Sequence, residues 1–172
     1  MMARTHIKLA TISWFIILGL VISFYRFTSN MSLNIRELFW SLAALFIARQ
    51  FSILADIDSP YSRIGRKYYI KSLSPHRGPT HSALSIIILA LISLPLCYFS
   101  TWLWGGVVIG HVSHIIGDLF TNKGVVLGYP WSKARVCPYS WSGTGSEYEG
   151  QVSNALSIAI IALTAVSLYL II

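Results

Sequence analysis

Imidazoles and carboxylates are scarce in this chain of 172 residues, and most of them fall into a few short stretches. Asp56 and Asp58 stand in Ala-Asp-Ile-Asp-Ser-Pro, and His76 and His81 in His-Arg-Gly-Pro-Thr-His-Ser. His111, His114 and Asp118 follow in Gly-His-Val-Ser-His-Ile-Ile-Gly-Asp, and His6 stands near the start. Ionisable groups are costly in a membrane-embedded chain and mark function by default, so their clustering points to a polynuclear metal site. Imidazole and carboxylate ligands without thiolates suit zinc, and less specifically manganese or iron. His114 and Asp118, four residues apart, would present both side chains to one ion from one face of a helix. Two ions roughly 3.5–4 Å apart clamp both oxygens of a displacement and acidify a bridging water, the chemistry of phosphoester hydrolysis. Arg77 and the basic stretch around it would then hold the substrate phosphate.

The elements that must position these residues are membrane helices. Hydrophobic residues make up 55% of the chain and charged residues 11%, against roughly 25% charged in soluble domains. Apolar runs at 7–25, 38–55, 82–99, 101–121 and 152–172 predict an all-α, polytopic bundle of about five transmembrane helices in a single domain, 1–172. The first run is read as a retained helix, because Tyr25-Arg26-Phe27 makes a poor signal-peptide cleavage site. The second is the weaker span, interrupted by Arg49-Gln50, with Arg49 expected to snorkel to the interface. Pro95 kinks or ends the third, and Ser100-Thr101 joins it to the fourth in a tight hairpin, with Trp102 and Trp104 in an interfacial belt. The loop 122–150 is long enough to be functional and carries Glu147 and Glu149. Cys97 and Cys137 form neither a disulfide framework nor a thiolate site.

Lysine and arginine set the orientation. With the N-terminus inside, the inner segments hold Arg4, Lys8, Arg63, Arg66, Lys67, Lys71, Arg77, Lys123, Lys133 and Arg135, and the outer ones only Arg26 and Arg36. The expected topology is N-in, C-out. The net charge of +7 then reports topology and attraction to anionic lipid rather than nucleic-acid binding. The same assignment brings every histidine and aspartate to, or down towards, the cytoplasmic face.

Thr5-His6, Asp56-x-Asp58-x-Pro60, His76-Arg77-Gly78-x-Thr80-His81-Ser82 and Gly110-x-x-Ser113-His114-x-x-x-Asp118-x-x-Thr121-x-x-Gly124 occur in that order. Together they resemble the LexA-binding, inner-membrane-associated family of bacterial metal-dependent hydrolases, over residues 5 to about 149. That family is distantly similar to the all-helical zinc-dependent phospholipase C and P1 nuclease group. The resemblance implies that His6, Asp56 or Asp58, His76, His81, His114 and Asp118 are metal ligands, with Glu147 or, preferably, Glu149 as a late acid. Position 111 is commonly aromatic in the family, so His111 stands outside this set, and no histidine follows His114 where the phospholipase group has more. One or two ions are therefore expected, zinc first and manganese second.

The leading expectation is a multi-pass protein of the bacterial inner membrane that hydrolyses phosphoesters, with phospholipid head groups as the natural substrate class. Whichever of Asp56 and Asp58 is not a ligand would serve as general base, beside Arg77. The alternative is a non-catalytic membrane protein with a structural metal site that binds a cytosolic regulator. A transporter is a third reading, weaker because the polar residues crowd one face of the membrane.

Overall fold

The computed structural model describes residues 3–29, 34–59, 62, 77–121, 123–137, 154–155, 157–162 and 166. His76, Glu147, Glu149, most of the basic stretch between 59 and 77, and much of 152–172 lie outside them. Among the described residues every regular element is helical, and one isolated bridge, Val125 with Val136, pairs extended backbone.

Helix α1 spans Ala3–Ser29 and α2 spans Ile35–Leu54. Asn34 caps α2 by accepting from the Glu37 backbone N–H at 2.9 Å, which satisfies one of the helix's unpaired donors. The α-helix then tightens into a 3-10 turn, Ala55–Asp58, and Ser59 is extended, the conformation imposed on a residue before proline. A second 3-10 turn, Pro79–His81, leads into α3 (Ala83–Ser93), capped by the Ser82 hydroxyl accepting from Ser85 N at 3.1 Å. Pro95 lacks an N–H donor, and the chain there becomes a 3-10 helix, Leu94–Tyr98. Ser100 caps α4 (Thr101–Leu119), so α3 and α4 form the expected tight hairpin.

Among the described residues two helices, Arg4–Phe24 and Ile35–Asp58, are long and apolar enough to cross a membrane, fewer than the five expected, of which the run 152–172 lies largely outside those residues. The stretch Ala83–Tyr98 is apolar but shorter, because Pro95 breaks it, and α4 devotes its second half to His111, His114 and Asp118. The second apolar run is stronger than expected: its helix continues past Arg49 and Gln50, both exposed on its outer side. Trp102 and Trp104 are tied into the bundle by their indole N–H groups, to Glu37 Oε2 at 2.8 Å and to the Ala90 carbonyl at 2.9 Å.

Helices α2 and α4 pack along a seam of small residues. Ser41, Ala44, Ala48 and Ser52 are buried on α2, and Gly106 and Gly110 face them from α4. A Cβ on Gly106 or Gly110 would overlap the carbonyl oxygen of Ala44 or Ala48 respectively. In lipid, where apolar burial gives helices little reason to associate, such small-residue seams allow the close backbone approach that packing requires. Trp14 of α1 completes this layer against Ala44 and Leu103. Gly110→Ala is expected to destabilise the bundle by about 1–3 kcal/mol through overpacking. Gly105→Ala, whose Cβ would meet only Ile109 Cδ1 at 4.0 Å, should be neutral or slightly stabilising. Thermal unfolding in detergent checks both, and equal behaviour of the two variants would contradict the seam.

Candidate metal centre

The seam brings the ends of three helices together. The first turn of α1 supplies Thr5 and His6, the 3-10 end of α2 supplies Asp56 and Asp58, and the last turns of α4 supply His114 and Asp118. The Pro79–His81 turn closes over them with His81. His6, His81 and His114 have no exposed surface, and Asp56, with its side chain 13% exposed, is the open side of the group.

Asp56, His81, His114 and Asp118 each offer a ligand atom, all within 4.8 Å of one another. His81 Nε2 lies 3.1 Å from His114 Nε2, 3.3 Å from Asp118 Oδ2 and 3.8 Å from Asp56 Oδ1. His114 Nε2 lies 3.6 Å from Asp56 Oδ1 and 3.7 Å from Asp118 Oδ2. A tetrahedral ion with bonds of about 2.0–2.1 Å sets its ligands roughly 3.3–3.4 Å apart, and these edges bracket that value.

Hydrogen bonding around the two imidazoles fixes which nitrogens face inward. His114 Nδ1 meets the Ser52 carbonyl, which can only accept, so Nδ1 carries the hydrogen. The Thr80 hydroxyl donates to Asp58 Oδ2 at 2.8 Å and is left to accept from His81 Nδ1 at 2.9 Å. With both rings in the neutral form, these partners turn bare Nε2 lone pairs towards each other at 3.1 Å, beside two carboxylates. Either a proton or a metal cation between them relieves the repulsion of that arrangement, and a metal ion would find a ligand set with its orienting partners in place. Burial, the largest influence on His81, holds its pKa below the ordinary 6.5, which keeps the lone pair free for a metal.

The other expected residues stand around this group rather than in it. Asp58 also accepts from the Arg77 backbone N–H at 3.3 Å, and so braces the closing turn. His6 Nε2 is 3.4 Å from Asp118 Oδ1, and its ring stacks on that of His114 with centroids 3.8 Å apart. Arg77 turns its guanidinium inward, Nε 3.0 Å from Asp118 Oδ2 and Nη2 3.1 Å from Oδ1, while Nη1 donates to Thr121 Oγ1. Its φ of 67° lies in the left-handed region, a strained conformation for a non-glycine residue that persists where surrounding bonds over-determine it. His111 Nε2 meets Ser85 Oγ at 3.0 Å, and that hydroxyl reaches the carbonyls of Thr80 and Ser82 on either side of His81. His76, Glu147 and Glu149 lie outside the described residues.

Sequence reasoning missed Thr80 as the partner of His81 and the carbonyl of Ser52 as the partner of His114. It also passed over Gly106-x-x-x-Gly110 opposite Ala44-x-x-x-Ala48, a spacing that is visible in the sequence.

The fold and site define a helical membrane protein that gathers two histidines and two aspartates at one end of its bundle. A family model described as YdjM inner membrane protein matches residues 1–172, and the chain belongs to that family. It is 33% identical over 118 residues to the "Uncharacterized protein YvsG" of Bacillus subtilis, covering 63% of this chain and 69% of that protein. It is 36% identical over 116 residues to the "Inner membrane protein YdjM" of Escherichia coli, covering 62% of this chain and 59% of that protein. No solved structure matches the chain. Family membership and the two apolar helices together support an inner-membrane location.

Proposed function

We propose that the protein is a membrane-embedded, metal-dependent hydrolase of phosphoesters, with one zinc ion held by Asp56, His81, His114 and Asp118. The observation that carries the metal reading is the pair of inward-facing Nε2 atoms at 3.1 Å between two carboxylates. When bound, such an ion polarises a phosphoryl oxygen and lowers the pKa of water. The chain's own residues orient the ligands: Arg77 holds the Asp118 carboxylate, and Asp58 and Thr80 hold the His81 ring. Asp58 is better suited to that bracing than to accepting a proton from water, since its Oδ2 already accepts from Thr80 and Arg77. Manganese is the second choice of metal on the same donor set.

Lipid phosphoesters are the substrate class we favour, because the group sits where the two apolar helices end, which in a membrane would set it close to the head groups. The excess of lysine and arginine in the segments sharing the site's side supports a cytoplasmic orientation within a multi-pass topology. The test is elemental analysis of the detergent-purified protein, followed by turnover of defined phospholipids and of a chromogenic phosphodiester. Close to one zinc per chain with turnover lost on chelation is the expected result. A bound ion with no turnover of any phosphoester would leave the second reading, a structural metal centre in a protein that recruits a cytosolic regulator.

A further inference from the structure

Beyond α4 the chain builds a short loop that the metal centre does not use. Val125 and Val136 close it with two backbone hydrogen bonds of 3.1 and 2.8 Å, and Arg135 Nη1 donates to the Lys123 carbonyl at 3.0 Å. It is fastened to the roof of the site: Val126 N donates to the Arg77 carbonyl at 3.4 Å and Ala83 N to the Leu127 carbonyl at 2.9 Å. The stretch 130–137 is exposed throughout, and Trp131 is 81% exposed. From Leu119 to Cys137 the chain carries Lys123, Lys133 and Arg135 and no acidic residue.

A large aromatic held out on a hydrogen-bonded loop has no packing purpose within the chain's described residues. Its surroundings say what it meets. Ile116, exposed on the last turn of α4, and Phe120, exposed just past its end, carry the apolar outer surface down to the point where the loop begins. Tryptophan concentrates at membrane interfaces because its ring is apolar and its N–H is polar. Lysine and arginine beside a membrane helix attract anionic head groups. We propose that the loop 123–137 is an interfacial anchor, with Trp131 seated among the head groups and Lys123, Lys133 and Arg135 facing the phosphates of anionic lipids. Because it hangs on the Arg77 turn and the start of α3, it sets the depth of the metal centre below a layer of anionic phosphate. This inference rests on the membrane location alone and stands or falls separately from the hydrolase reading.

The test uses the full chain in nanodiscs of phosphatidylcholine, with and without phosphatidylglycerol. The Trp131 signal is taken as the fluorescence difference between the parent and Trp131→Phe, since five other tryptophans remain. In anionic discs this component should be blue-shifted, shielded from acrylamide, and quenched at least about two-fold by lipids brominated near the head group. Lys133→Gln/Arg135→Gln should return it towards its behaviour in phosphatidylcholine discs, with an unchanged circular dichroism spectrum as the check on folding. Acrylamide access together with insensitivity to brominated lipid in both discs would overturn the anchor. Equal quenching in the two discs would overturn the role given to the basic residues. Shielding that arises only when soluble cell extract is added would identify a protein dock and overturn the lipid assignment.

Discussion

His81→Ala and His114→Ala are each expected to abolish stoichiometric zinc binding, lowering affinity by more than the ~10–100-fold typical of changes to orienting partners. Each ring supplies one corner of the four-atom group, and neither has a substitute within the set. Thr80→Val keeps all four ligands but removes the acceptor for His81 Nδ1, so it should fall inside the ~10–100-fold range. Isothermal titration with zinc, or competition against a chromogenic chelator, ranks the three. The parent should also lose thermal stability on chelation, by about 2.7 kcal/mol when free zinc stands 100-fold above its dissociation constant. The alanine variants should show no such loss. Zinc binding by His81→Ala that equals the parent's would end the metal assignment, and the cluster would then be a hydrogen-bonded interior network.

The second large effect concerns Arg77 and Asp118, a buried bidentate ion pair. Removing one partner of such a pair strands the other charge, at a cost of about 3–5 kcal/mol. Asp118→Ala should therefore destabilise the metal-free protein by that amount, measured by unfolding in detergent with chelator present so that lost zinc does not enter the comparison. Arg77→Ala should cost less than Asp118→Ala, because His6 Nε2, 3.4 Å from Asp118 Oδ1, can still donate to the carboxylate. The double variant should be less destabilised than the sum of the two, by a coupling of about 0.5–3 kcal/mol. Strict additivity would show that the two side chains act independently.

The division between what is written in the chain and what packing decides follows from the range of each interaction. Composition alone places the protein in a membrane, since so few charges and such long apolar runs admit no soluble core of this size. The i, i+4 spacing of His114 and Asp118 puts both on one helix face whatever the rest of the fold does, and both fall in the cluster. Pro95 and the serines at 82 and 100 mark helix ends by local chemistry, and the ends fall there.

Asp56 and Asp58 show where local reasoning stops. They are two residues apart on the 3-10 turn Ala55–Asp58, whose period is about three residues, so they point in different directions. Which one meets the histidines depends on how α2 is rotated against α4, and the Ala44, Ala48, Gly106 and Gly110 contacts set that rotation. The same packing carries the Ser52 carbonyl to His114 and so turns its Nε2 inward. Arg77 reads in the sequence as a free cation beside two histidines, suited to a phosphate. Its pairing with Asp118, forty-one residues away, arises only when the closing turn lands on the end of α4. Residue types and the periodicity of single helices were legible because they are short-range. The choice of ligand, and the tautomer that makes it one, belongs to distances between helix ends, which no spacing along one chain encodes.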